Sequence, residues 1–90
     1  ADVNLDNLLS ALAKKEFTTV KNWVVQHMDN DPSSVMRKIY DSLYGVLKPP
    51  SIPEAVLIMA KYMKDITLVP DQEINMLACL TEIMMSCEFR

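Results

Sequence analysis

Chemistry at a protein surface needs particular residue types within reach of one another, and this sequence offers few. Nucleophilic catalysis requires a Ser, Cys or Lys beside a base. The only histidine is His27, flanked on its segment by hydrophobic residues and carboxamides. A zinc site normally shows at least one close-spaced pair of ligands, and His27, Cys79 and Cys87 supply none. Twelve Asp and Glu always permit some pair of carboxylates, but none sits where the apolar pattern predicts burial, so they read as a solvated face. A phosphate cradle needs a glycine-rich loop, and Gly45 is the one glycine. The expectation is a segment with no catalytic, cofactor-binding or metal-binding residues of its own.

The two cysteines lie eight residues apart in what reads as one helix. That is about 12 Å along its axis, too far for a disulfide. They read as small hydrophobes in a reducing compartment, which points to the cytoplasm. Nine Lys and Arg against twelve Asp and Glu leave a net charge of −3. The bases are scattered, with Lys14-Lys15 and Arg37-Lys38 the only adjacent pairs, so no basic stripe tracks a nucleic-acid backbone. No apolar run reaches the roughly eighteen residues of a membrane span. A basic, apolar, small-residue leader is also lacking, and the first residue is Ala1, which suggests a processed or excised chain.

Ninety residues make one domain, residues 1–90, able to bury a core without staples. One glycine and seven methionines suit a chain dominated by helices. Spacing predicts five of them. The first covers about Asn4 to Lys14, with Leu5, Leu8, Leu9 and Leu12 on one face and Asn4 or Asp2 as its cap. After a break at Lys15 and Glu16, the second places Phe17, Val20, Val24 and Met28 in one arc, with Trp23 and Val25 about a quarter turn off it. The third starts sharply at Asp31-Pro32 and runs to about Leu47, with Val35, Met36, Ile39, Tyr40, Leu43, Val46 and Leu47 apolar. Lys48-Pro49-Pro50 must end it. Ser51 then opens the fourth helix through a capping box with Glu54, and Val56, Leu57, Met59, Ala60, Met63 and Ile66 form its buried side.

The fifth, from about Pro70 or Asp71 to Cys87, is apolar nearly all round. Ile74, Leu77, Ala78, Thr81, Met84 and Met85 share one face, and Met76, Leu80, Ile83 and Cys87 a second, leaving water a strip near Asn75, Glu82 and Ser86. Such a helix either threads the centre of its domain or contacts another subunit. The fold class expected is all-α, a compact five-helix bundle.

The stretch from Leu8 to Phe89 resembles the C-terminal collar domain of clamp-loader ATPase small subunits, the replication factor C family, in its tailed-phage form. The resemblance rests on the leucine helix, the Lys15-Glu16-Phe17 corner, the second helix through Phe17, Val20 and Val24, the motif VMRKIYDSLY, and VPDQEINMLACLTEIM leading into the last helix. The chain departs from cellular relatives at Val69-Pro70 and Pro49-Pro50.

What this implies is a non-enzymatic oligomerisation domain of DNA replication. Collars pack into a ring, while ATP and Mg are handled in N-terminal modules that grip the sliding clamp and primer-template DNA. Partners would be other clamp-loader subunits through collar contacts, with no membrane. A ring needs two different contact surfaces per domain, for which Trp23, Val25, Tyr44, Tyr62, Met76, Leu80 and Ile83 are the expected residues. The alternative is a free-standing helical adaptor or regulator that offers a groove to a partner peptide.

Overall fold

The starts of two helices are written in the local sequence. Asp31 sits in extended backbone and its carboxylate accepts from the Ser34 amide at 3.0 Å, with Pro32 in the first turn. Asp71 does the same for Ile74 at 3.0 Å. In each case a side chain satisfies one of the amides that a helix start leaves without a partner.

The computed structural model describes residues 4–90. Among the described residues are five α-helices: α1 (Asp6–Lys14), α2 (Phe17–Gln26), α3 (Pro32–Val46), α4 (Ile52–Met63) and α5 (Gln72–Ser86). A 3-10 turn at Pro49–Ser51 precedes α4, and another at Ile66–Leu68 follows it. The expected five-helix bundle is what forms. Its radius of gyration is 11.9 Å, close to the roughly 12 Å of a packed chain of this length.

α1 ends at Lys15, whose backbone is left-handed (φ 59°, ψ 41°). The Lys15 amide donates to Leu12 and the Glu16 amide to Ala11, a closure usually built on glycine. α1 starts without a side-chain cap on its first residues, although Asn4 Oδ1 accepts from the Asp6 amide at 2.9 Å. Asp2, the other expected cap, lies outside the described residues.

α5 touches all four other helices. Around it Leu8, Leu12, Val20, Val24, Met36, Ile39, Leu43 and Leu47 are closed off from water, together with Cys79, Leu80 and Ile83 of α5 itself. Burial of this apolar surface is the main stabilising contribution, about 1.5 to 3 kcal/mol for each large side chain.

Three expectations are corrected by this packing. The inward arc of α2 is Val20, Trp23 and Val24, while Phe17 is 44% exposed. α1 packs beside α2 and turns it, and the Trp23 indole donates to the Asn4 carbonyl at 2.8 Å. The inward side of α4 is Ala55, Ile58 and Met59, whereas Val56 and Leu57 face outward, because α3 and α5 flank α4 on those buried positions. Ser51 does not cap α4: its side chain is buried and its hydroxyl accepts from the Glu88 amide.

The chain after α5 returns as an extended strap. Lys48 donates to the Glu88 carbonyl and Arg90 to the Val46 carbonyl, both at 2.9 Å, pairing Leu47 with Phe89. The Arg90 guanidinium adds a bond to the Leu47 carbonyl at 3.0 Å. The strap thereby satisfies carbonyls that the end of α3 leaves over.

Candidate functional site

The one histidine and both cysteines are occupied structurally. The His27 ring stacks on Trp23 with centroids 4.0 Å apart, and its Nδ1 donates to the Trp23 carbonyl at 2.8 Å. Burial pushes the Cys79 thiol up to about 12, and it rests 3.5 Å from the Met59 sulfur. Burial also raises the Cys87 thiol, with Glu54 adding to the effect. Thiolates are the reactive form, so both sulfurs are held in the inert one. Among the described residues no group of His, Cys, Asp and Glu could hold a metal ion, and no helix is long and apolar enough to cross a membrane.

The strongest polar constellation ties α4 to α5. Lys61 Nζ reaches the Glu82 carboxylate at 2.7 Å and 2.9 Å, and the Tyr62 hydroxyl donates to the same carboxylate at 2.8 Å. The Lys61 and Tyr62 hydrogen bonds hold the Glu82 carboxyl below the usual carboxylate range. The Glu82 bond in turn raises both Lys61 and Tyr62. All three stay in their resting charge states at neutral pH, which suits a clasp rather than an acid-base pair.

Of the residues expected at a subunit contact, Trp23, Met76, Leu80 and Ile83 are buried inside this domain. Their surfaces are already covered by neighbouring helices, so they present nothing to a partner. Tyr62 is half-buried in the Glu82 clasp. Val25 and Tyr44 are on the surface, but far apart in role. Val25 stands singly on the outer side of α2, whereas Tyr44 belongs to a cluster on α3. There Tyr40 and Tyr44 meet edge to face at 5.3 Å with their hydroxyls 2.7 Å apart, and Arg37 lies over the Tyr40 ring while pairing with Asp41.

The two apolar faces of α5 therefore divide the work in the order opposite to the expected one. Met76, Cys79, Leu80 and Ile83, with Cys87 just past the helix, form the core face, and Met84, expected beside Ile74 and Met85, is buried with them. Ile74 and Met85 of the other face are 64% and 68% exposed. With Phe17 from α2 and Leu77, Ala78 and Thr81 they line an open groove of about 500 Å³ between α2 and α5, with Glu82 at its edge. The Thr81 hydroxyl donates to the Leu77 carbonyl at 2.7 Å, so no polar donor points into the groove from α5's own face. The groove continues past Ile74 and Ala78 to Val69, Pro70 and Asp71. Phe17, Ile74 and Met85 were legible as apolar residues in the sequence. Their exposure was not, since it depends on which side of α5 the other helices cover.

A smaller surface lies between α3 and α4, a groove of about 190 Å³ bordered by Arg37, Tyr40, Val56, Ala60 and Met63. Beside it Leu57 is 68% exposed. A mostly apolar lining whose polar members lie at the edges fits a packing surface; an active site or small-ligand site would bring a few polar groups to one point. Neither a protein-family model nor any curated protein matches this chain.

Proposed function

We propose that this chain is an assembly domain that holds protein subunits together, of the collar type found in sliding-clamp loaders. The observation that carries the reading is the α2–α5 groove: Phe17, Ile74 and Met85 stand in water around a continuous apolar floor. Large exposed apolar patches on small domains mark protein contact. The inert thiols, the stacked His27 and the neutral-pH clasp at Glu82 support a role without chemistry of its own. In this reading ATP, Mg, the sliding clamp and primer-template DNA are handled by other modules, and the bundle supplies a fixed frame while they change state.

The test is the coding sequence upstream of Ala1. A P-loop and an acidic Walker B strand in the same reading frame support the clamp-loader collar. A frame that lacks both sinks that reading and moves the free-standing adaptor, with a peptide in the same groove, to the front.

A further inference from the structure

The chain's charge is unevenly divided between the segments that build the two exposed apolar surfaces. Residues 32–64, which build α3 and α4, carry five Lys or Arg against two Asp or Glu. Residues 65–90, which build α5 and its flanks, carry five Asp or Glu against the single Arg90. From Asp71 to Glu88 every charged residue is acidic. On the α2 side of the groove Glu16 and Lys21 flank Phe17 in sequence and offset each other.

The shapes differ in the same sense. The α2–α5 surface is a trough between two helices. On α4, Leu57, Ala60 and Lys64 are exposed at spacings of three and four, so they form one outward ridge with apolar and basic members, while Lys61 beside them is held by Glu82 of the same chain. Ridges of one helix pack into grooves between others.

We propose that the α2–α5 groove is covered by the α3–α4 face of a second copy of this chain, Leu57 entering beside Ile74 and Met85 and Lys64 facing Asp71 and Glu73 at the start of α5. The proposal rests on the assembly reading above. Groove against groove would set Asp71 and Glu73, which no base of the same chain offsets as Lys61 offsets Glu82, against their own counterparts, a like-charge juxtaposition that costs affinity. Groove against ridge uses two different surfaces, and such a head-to-tail contact can repeat to close a ring.

The test uses two variants at mostly exposed positions, Ile74→Glu in the groove and Leu57→Glu on the ridge, chosen with like charge so that the two altered surfaces cannot pair, each checked for native helicity by circular dichroism. Sedimentation velocity of the wild-type chain should show self-association by about 1 mM. Each variant alone should associate at least about tenfold more weakly. An equimolar mixture should form a one-to-one dimer and nothing larger, because only one intact groove and one intact ridge remain. Raising salt from about 0.05 M to about 0.5 M should weaken that dimer several-fold.

A wild type that stays monomeric, a Leu57→Glu variant that associates as well as wild type, a mixture that stays monomeric, or a mixed dimer indifferent to salt would each overturn the proposal. A reading frame without ATPase motifs would end the clamp-loader reading and leave this contact standing. Failure of the mixed pair would end the contact and leave the clamp-loader reading intact.

Discussion

The Ser51 hydroxyl accepts a hydrogen bond from the Glu88 amide at 2.8 Å across 37 residues of sequence. Next to it the Cys87 thiol meets the Ser51 carbonyl at 3.8 Å. The turn that starts α4 is therefore fastened to the strap that follows α5. Replacing Ser51 by Ala removes the acceptor and leaves the Glu88 amide poorly satisfied in a part-buried place. The expected loss is about 1 to 3 kcal/mol, and Tm should fall by about 4 to 8 °C for each kcal/mol. Amide exchange at Glu88 should accelerate in the same variant, whereas a merely helix-capping Ser51 would leave that amide unchanged.

The division of α5 into a core face and an open face gives opposite outcomes for two neighbouring truncations. Leu80 is fully buried, so Leu80→Ala should cost about 2 to 5 kcal/mol in urea unfolding. Met85 is 68% exposed, so Met85→Ala should stay within about 0.5 kcal/mol of wild type. The reverse order would place the core on the wrong side of α5.

The Lys61–Glu82 clasp sets a pH window. Glu82 titrates lower in the folded chain than in the unfolded one. Its contribution is present above the ordinary carboxylate value of about 4.3 and is lost as pH falls through the lower folded value. Lys61 titrates higher when folded. Its contribution is present below the ordinary lysine value of about 10.4 and is lost as pH rises through the higher folded value. Both side chains are substantially exposed, so salt should shrink the effect. Thermal unfolding of Glu82→Gln as a function of pH should show weaker acid sensitivity than wild type below about pH 4.3. Equal acid sensitivity would assign it to other carboxylates.

Backbone demand and residue type are mismatched at two places. Lys15 adopts the left-handed conformation that favours glycine. Gly45 sits in the last turn of α3 without positive φ, and a Cβ there would meet nothing within 4 Å. Lys15→Gly and Gly45→Ala should each stabilise the fold, by about 0.5 to 1 kcal/mol. The two sites lie on different helices, and their effects should add. A loss of stability at Gly45→Ala would show that the glycine serves something other than the helix.

Helix count and boundaries were legible in the sequence because they depend on local chemistry. Asp31 and Asp71 cap helices through amides three residues on, and Pro49-Pro50 stops α3 by lacking amide hydrogens. Periodicity also showed that α5 has two apolar faces and that one must be the core. Only packing decided which. α1 turns Trp23 inward and leaves Phe17 outside, α3 and α5 cover Ile58 and Met59 but leave Leu57 bare, and the other helices close over Leu80 and leave Ile74 and Met85 open. Likewise Ser51 could cap α4 by sequence, but its hydroxyl meets a closer competitor, the Glu88 amide, which only the tertiary fold brings within reach. Local hydrogen bonds and steric limits act over a few residues and are written in the chain, whereas the choice of covered face depends on surfaces far apart in sequence that meet only in the assembled bundle.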